Sequence, residues 1–252
     1  MPPKLGQHFL TNASVLERIA VAVCPAGEDL VIEIGPGRGA LTEKLLRRAA
    51  RVVAIEIDAT LVEGLRTRFA GEPRLEIVHG DVLATDLAQW GRAPIAGNLP
   101  YYITSPILEK AIRLDVPRIG FLIQKEVAER LIAQPHHREY GYLTLQTAMF
   151  ADARLLFEVK PGSFRPPPQV DSAVVLLTPH MRDLGVGDRE RFRRFLGHCF
   201  RQKRKTLRNN LAGIYGKEAI DSWPEAGLRA EQLTLEQFAG MYRRTLDAGP
   251  LE

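Results

Sequence analysis

Short apolar runs recur along this 252-residue chain between longer segments of helical periodicity, and the first run closes on Gly35-Pro36-Gly37-Arg38-Gly39. Parallel strands need a long crossover between them, and helices supply it, so this alternation predicts an α/β domain around a mostly parallel sheet. Strands are predicted at Leu30–Ile34, Val52–Ile57, Leu75–Val78, Ile95–Asn98 and Ile119–Ile123. Two more, Leu155–Val159 and Ala173–Leu177, flank a loop, 160–171, that contains Pro166-Pro167-Pro168. Seven strands in this spacing fit an open, doubly wound, Rossmann-like sheet. After Pro179 the pattern changes. A linker over 180–188 leads into segments that read only as helix, Arg189–Asn210, Glu218–Trp223 and Leu235–Leu246, with Thr234 placed to cap the last. Two domains are expected: 1–180, carrying the ligand site, and a small all-helical domain, 181–252.

The net charge of +4 conceals a strong asymmetry. Between Arg189 and Arg208 nine Lys or Arg stand against Glu190 alone, a net of +8, which leaves −4 for the rest of the chain. Such a segment suits a polyanion, because Lys and Arg contacts to phosphates release counterions. Arg201, Lys203, Arg204, Lys205 and Arg208 are the candidate contacts. No apolar run approaches the roughly 18 residues that span a bilayer, and Met1-Pro2-Pro3-Lys4 opens no signal-peptide region, so a cytoplasmic protein without a membrane partner is expected. Cys24 and Cys199 are too few for a disulfide framework, and the six His residues show no ligand-like pairing with them. No metal is expected.

In open α/β sheets, ligands lie beyond the carboxyl ends of the strands, where Glu33, Gly35, Gly37, Gly39, Glu56, Asp81 and Asn98 are all predicted to fall. A glycine-rich turn there can serve NAD, FAD or S-adenosylmethionine. The spacing here is G-x-G-x-G, and Pro36 has no N–H to offer a pyrophosphate. Glu33 would repel a diphosphate and attract a sulfonium. Glu56 ends the second strand, where a carboxylate can accept from both ribose hydroxyls. Asp81 can accept from an adenine amino group, and the Val82 N–H can donate to the ring.

Gly97-Asn98-Leu99-Pro100-Tyr101 points to a reaction. The exocyclic nitrogen of adenine is a poor nucleophile while its lone pair is delocalised into the ring. Two acceptors on its hydrogens would pyramidalise it. The Asn98 side-chain oxygen is one; the Leu99 carbonyl is the other, because Pro100 biases Leu99 to an extended conformation. Tyr101 offers a face for the base. Such a site needs positioning and preorganised electrostatics but no general base before transfer.

With these motifs the chain resembles the small-subunit ribosomal RNA adenine dimethyltransferases. The resemblance includes Leu5 to Leu10, Glu33 to Thr42, Glu56-Ile57-Asp58, Gly80-Asp81, Gly97 to Tyr101, Gln124 to Val127, Tyr140-Gly141, Phe164 to Val174 and Phe200 to Arg208. It implies S-adenosylmethionine as cofactor, with His8 and Leu10 lining its pocket from an N-terminal arm, Gly35 facing the methionine moiety, and Asn98 near the transferred methyl. It implies that Phe164 sandwiches the target adenine against Tyr101. The implied substrate is a pair of adjacent adenines in the 3′-terminal hairpin loop of 16S RNA, within an immature small subunit, and a monomeric enzyme is expected. Tyr102 stands where many members have Asn. A large-subunit RNA methyltransferase and an assembly factor acting mainly by binding are the alternatives.

Overall fold

The computed structural model describes residues 8–247. Met1-Pro2-Pro3-Lys4 and Leu5-Gly6-Gln7 of the N-terminal stretch lie outside the described residues. In chain order the elements are β1 (Phe9–Leu10), α1 (Ala13–Val23), β2 (Glu28–Ile34), α2 (Ala40–Leu45), β3 (Ala49–Glu56), α3 (Ala59–Arg68), β4 (Leu75–His79), β5 (Ile95–Asn98), α4 (Thr104–Ala111) and β6 (Ile119–Gln124). They continue with α5 (Lys125–Ile132), α6 (Tyr142–Ala148), β7 (Ala151–Val159), β8 (Phe164–Arg165), β9 (Ser172–Pro179), α7 (Arg189–Cys199), α8 (Leu207–Tyr215), α9 (Lys217–Asp221) and α10 (Leu235–Asp247).

Seven strands form one sheet in the order β4-β3-β2-β5-β6-β9-β7. The ladders from β4 to β6 are parallel, and β9 runs antiparallel to both of its neighbours. The doubly wound, mostly parallel sheet predicted from the sequence is therefore the fold. Its inner strands are apolar on both faces: Val31, Ile32, Val52, Val53, Ile95, Phe121, Leu122 and Ile123 are all fully buried. Each such side chain contributes about 1.5–3 kcal/mol on leaving water. The chain winds outward from β2 to β4, then returns to place β5 on the other side of β2. That reversal opens a crevice outside the carboxyl ends of β2 and β5. The two strands approach closely there, since a Cβ on Gly97 would lie 2.7 Å from the Ile34 carbonyl oxygen.

The sequence did not foresee the short antiparallel pair β1–β8, which joins Leu10 to Phe164 and Phe9 to Arg165. Two residues are too few to show periodicity. Nor is one boundary enough to divide the chain. The chain up to Ala128 forms one compact unit with Ala151–His180, whereas Glu129–Phe150 groups with the chain from Met181 onward. In that second unit Tyr140, Leu145 and Met149 are buried in one core with Phe192, Phe195, Leu196 and Phe238. The excursion 129–150 thus belongs with the helical unit and not with 1–180.

The predicted helix Arg189–Asn210 is two helices. Asp188 caps the first by accepting from the Glu190 and Arg191 N–H groups. The chain then turns between Phe200 and Thr206, where the buried Asn210 amide bonds the Cys199 and Gln202 carbonyls and accepts from the Gln202 N–H. A continuous helix would stack Arg201 on Lys205 and Arg204 on Arg208, like charges four residues apart. Thr234 caps α10 as predicted: its hydroxyl accepts from the Gln237 N–H at 3.3 Å, and the Gln237 side chain accepts from the Thr234 N–H at 2.8 Å. Among the described residues no helix is long and apolar enough to cross a membrane.

Candidate active site

The crevice holds a cavity of about 380 Å³. His8 and Leu10 line it from the N-terminal arm, Gly35 and Gly37 from the turn after β2, Glu56 from the end of β3, and Asp81 and Val82 from beyond β4. Asn98, Leu99 and Tyr101 line it from the end of β5. Residues from Gly35 to Tyr101 meet there because each lies at or just past the end of a parallel strand, and parallel strands all end on one side; the N-terminal arm adds His8 and Leu10.

The glycine turn is left-handed at Gly35, Gly37 and Gly39, with φ of 67°, 57° and 79°. A side chain at Gly37 would also meet the Phe9 ring at 3.1 Å. The Gly35 N–H is donated to the Ile55 carbonyl, the Gly37 N–H to Glu56 Oε2 and the Gly39 N–H to the Pro36 carbonyl. Pro36 has none. The turn therefore presents no nest of donors to a phosphate.

Carboxylates dominate the polar wall. Glu56 is buried, with Oε1 accepting from the Ile57 and Asp58 N–H groups at 3.0 Å each. Those bonds, with the Gly37 N–H on Oε2, fix the carboxylate and leave remaining acceptor capacity on Oε2. Asp81 Oδ1 accepts from the Leu83 N–H at 2.8 Å, so this residue closes its own turn as well as lining the cavity. Glu33 is 1% exposed, and its Oε2 accepts from the Thr42 hydroxyl at 2.6 Å. Burial pushes its carboxyl up to about 8; the Thr42 bond opposes the rise, and the nearby charge of Glu56 adds to it. Arg38 and Arg68 also reach the cavity wall, but Arg38 lies over the Phe9 ring and Arg68 pairs with Glu43 at 2.8 Å.

At the β5 corner the Asn98 Nδ2 donates to the His8 carbonyl at 2.9 Å. Only the amide nitrogen can approach a carbonyl oxygen that closely, so its orientation is determined and Oδ1 is left to accept from another donor. The Pro100 carbonyl, in contrast, is taken by the Ile103 N–H and the Thr104 hydroxyl. His8 also bonds the Pro166 carbonyl through Nδ1 at 2.9 Å, and its ring lies 5.7 Å from that of Tyr101.

Phe164 is the predicted site residue that the cavity does not contain. Its ring is fully buried, packed in one core with Leu10, Leu16, Val159 and Val174. Pairing of β8 with β1 turns it inward, and it has no face to offer a base. It supports the arm that carries His8. Sequence reasoning missed Ser172, whose hydroxyl meets the Tyr101 phenol, although Ser172 lies in the same motif string.

The predicted phosphate contacts all lie in the second unit, on the turn after α7 and the start of α8. Arg201, Arg204 and Lys205 are exposed and make no ion pair among the described residues. Lys203 bonds the Arg138 carbonyl, and Arg208 pairs with Asp221 at 2.7 Å. Burial, together with the charges of Arg201 and Arg194, holds His198 below the usual histidine value.

A cavity of this size, rich in carboxylates and lacking a phosphate cradle, fits a cationic nucleoside with an amino-acid tail. In a doubly wound sheet that combination defines an S-adenosylmethionine-dependent methyltransferase. Comparison with known proteins agrees and goes further. A family model described as ribosomal RNA adenine dimethylase matches residues 2–245. Proteins named ribosomal RNA small subunit methyltransferase A are 43% identical in Acidobacterium capsulatum, covering 97% of this chain and 91% of that one, and 41% identical in Geobacter metallireducens, covering 97% and 95%. A dimethyladenosine transferase from Plasmodium falciparum superposes with a TM-score of 0.77 at 26% identity, over 96% of this chain and 97% of that one. The 23S rRNA methyltransferase ErmE superposes with a TM-score of 0.72 at 25% identity, over 94% and 99%. The chain belongs to the ribosomal RNA adenine dimethylase family. It is an rRNA adenine dimethyltransferase, and its cofactor is S-adenosylmethionine.

Proposed function

We propose that this enzyme dimethylates two adjacent adenines in the 3′-terminal hairpin loop of 16S RNA, acting as a cytoplasmic monomer on an immature small subunit. The relatives named for the small subunit are 43% and 41% identical over 97% of the chain, against 25% for the 23S rRNA methyltransferase ErmE, which supports that choice over a large-subunit target. The observation that carries the chemistry is the bond from Asn98 Nδ2 to the His8 carbonyl, which leaves Oδ1 as an acceptor at the cavity wall.

The cofactor supplies an electrophilic methyl group on a sulfonium. In this reading Glu56 accepts from the ribose hydroxyls, Asp81 from the adenine amino group, and the Val82 N–H donates to that ring. Gly35, Gly37, His8 and Leu10 shape the methionine end. Asn98 Oδ1 and the Leu99 carbonyl hold the two hydrogens of the target amino group and make its lone pair available. Tyr101 stacks the base. These groups act by positioning and preorganised electrostatics, and the proton leaves after transfer.

The second unit, 129–150 with 181–252, holds the RNA. Arg201, Arg204 and Lys205 contact phosphates, with Lys203 and Arg208 at the edge of that surface. Such contacts set register and leave base selection to the cavity. Reversing charge at Arg204 and Lys205 together is expected to lower the slope of log affinity against log salt by about two. An unchanged slope in filter binding across salt concentrations would remove both residues from the interface.

The decisive experiment incubates the protein with labelled cofactor and unmethylated small subunits and maps the label by mass spectrometry. Label on two adjacent loop adenines is the expected result. Label confined to large-subunit RNA, tested in parallel, would replace the small-subunit target.

A further inference from the structure

The Tyr101 phenol oxygen lies 2.8 Å from the Ser172 hydroxyl oxygen. We infer that Ser172 is a positioning residue for the target base: its hydroxyl sets the plane of the Tyr101 ring. The inference rests on the proposed role of Tyr101 as the stacking face.

The two ends of this bond differ in rigidity. Ser172 is fully buried and opens β9, paired with Gln124 of β6 on one side and Val159 of β7 on the other. The preceding residue is also held, because the Asp171 carboxylate pairs with Lys160 at 2.5 Å and its carbonyl accepts from the Lys125 N–H at 3.0 Å. Tyr101, by contrast, starts a single three-residue 3₁₀ turn, Tyr101–Ile103, with no side-chain cap. Short turns of this kind have poor hydrogen-bond geometry and hold a ring weakly. The neighbouring His8 ring lies 5.7 Å away, tilted by 30°. Stacking uses the face of an aromatic ring and needs no hydroxyl, so the phenol has a separate task. Burial raises the phenol's pKa, and the Ser172 bond offsets part of that rise, so the phenol stays protonated and keeps a proton to share. The motif string that contains Phe164 therefore serves the base site through its last polar residue, and not through the phenylalanine.

The test compares Ser172→Ala, Tyr101→Phe and the double variant on unmethylated small subunits. Losing one hydrogen bond of ordinary strength should lower kcat roughly three- to tenfold in either single variant, with KM for the subunit little changed. The double variant should fall no further than the singles, since both remove the same bond. Cofactor affinity by calorimetry should stay within about twofold of wild type throughout, and Ser172→Thr should restore kcat. A Tyr101→Phe enzyme with wild-type kcat would overturn the inference, as would additive losses in the double variant. Should Ser172→Ala fail to fold, Tyr101→Phe still decides, because Ser172 remains in place. A wild-type protein that leaves small subunits unmethylated would instead count against the proposed substrate.

Discussion

Asn98→Ala is expected to lower kcat by roughly two to three orders of magnitude, the loss seen when one preorganised polar group is removed from a transition state. Cofactor affinity should change no more than about threefold, because the carboxylates and glycine turn proposed to hold it are left intact. The asymmetry follows from geometry. The Asn98 amide nitrogen is tied to the His8 carbonyl, so its oxygen is preset to accept and needs no reorganisation as the target nitrogen pyramidalises. Alanine removes the acceptor, while the arm stays held by the β1–β8 pairing and by the His8 bond to the Pro166 carbonyl. Single-turnover kinetics beside calorimetric cofactor titration separate the two effects. Matching losses in kcat and cofactor affinity would show that Asn98 serves the cofactor and not the reacting nitrogen.

The second large effect concerns pH. Glu33 titrates near 4.5 in an unfolded chain and near 8 in the folded protein, where burial disfavours its charge. Between those values the folded state holds a proton that the unfolded state has lost, so stability falls as pH rises, by up to about 5 kcal/mol in the ligand-free protein. Glu33→Gln keeps a neutral group of the same shape and should raise the melting temperature at pH 8 by roughly 10–20 °C while changing little at low pH. A cofactor sulfonium bound beside this wall is expected to reverse the preference, because a positive charge favours the carboxylate. Binding should therefore release a proton, and affinity should climb by up to about tenfold per pH unit until pH approaches 8, then level off. The Gln variant corrects for titration of the cofactor's own amine. Calorimetry in buffers of different ionisation enthalpy reads the proton directly. Proton uptake, or a pH slope that survives Glu33→Gln, would show that another group controls binding.

The sheet and most of the cavity could be read in advance because both depend on local pattern. Short apolar runs between helical segments are the pattern of buried parallel strands, and β2 to β6, which are parallel to one another, all end on one side. That is why Gly35, Glu56, Asp81 and Asn98 could be assigned to one crevice without coordinates. Where the reading failed, the deciding contact was distant. The family resemblance implies that Phe164 clamps the target base, but a two-residue pairing with the N-terminal arm turns its ring into the core. A single boundary at 180 places 129–150 in the first domain, yet Tyr140, Leu145 and Met149 pack with residues beyond 181. The basic stretch looked like one helix because cations are good helix formers singly. Charge repulsion along the helix and the Asn210 bonds break it.

The sequence by itself determined the seven strands of the main sheet, the glycine turn that cannot cradle phosphate, and the residue types that line the cavity, since period, spacing and side-chain chemistry are properties of neighbouring residues. Only the tertiary structure decided which atoms of those residues remain available. The His8 carbonyl orients the Asn98 amide from 90 residues away, Ser172 takes the Tyr101 phenol from 71 away, and burial keeps Glu33 protonated, because hydrogen-bond partners and desolvation are set by what the folded chain brings within a few ångströms.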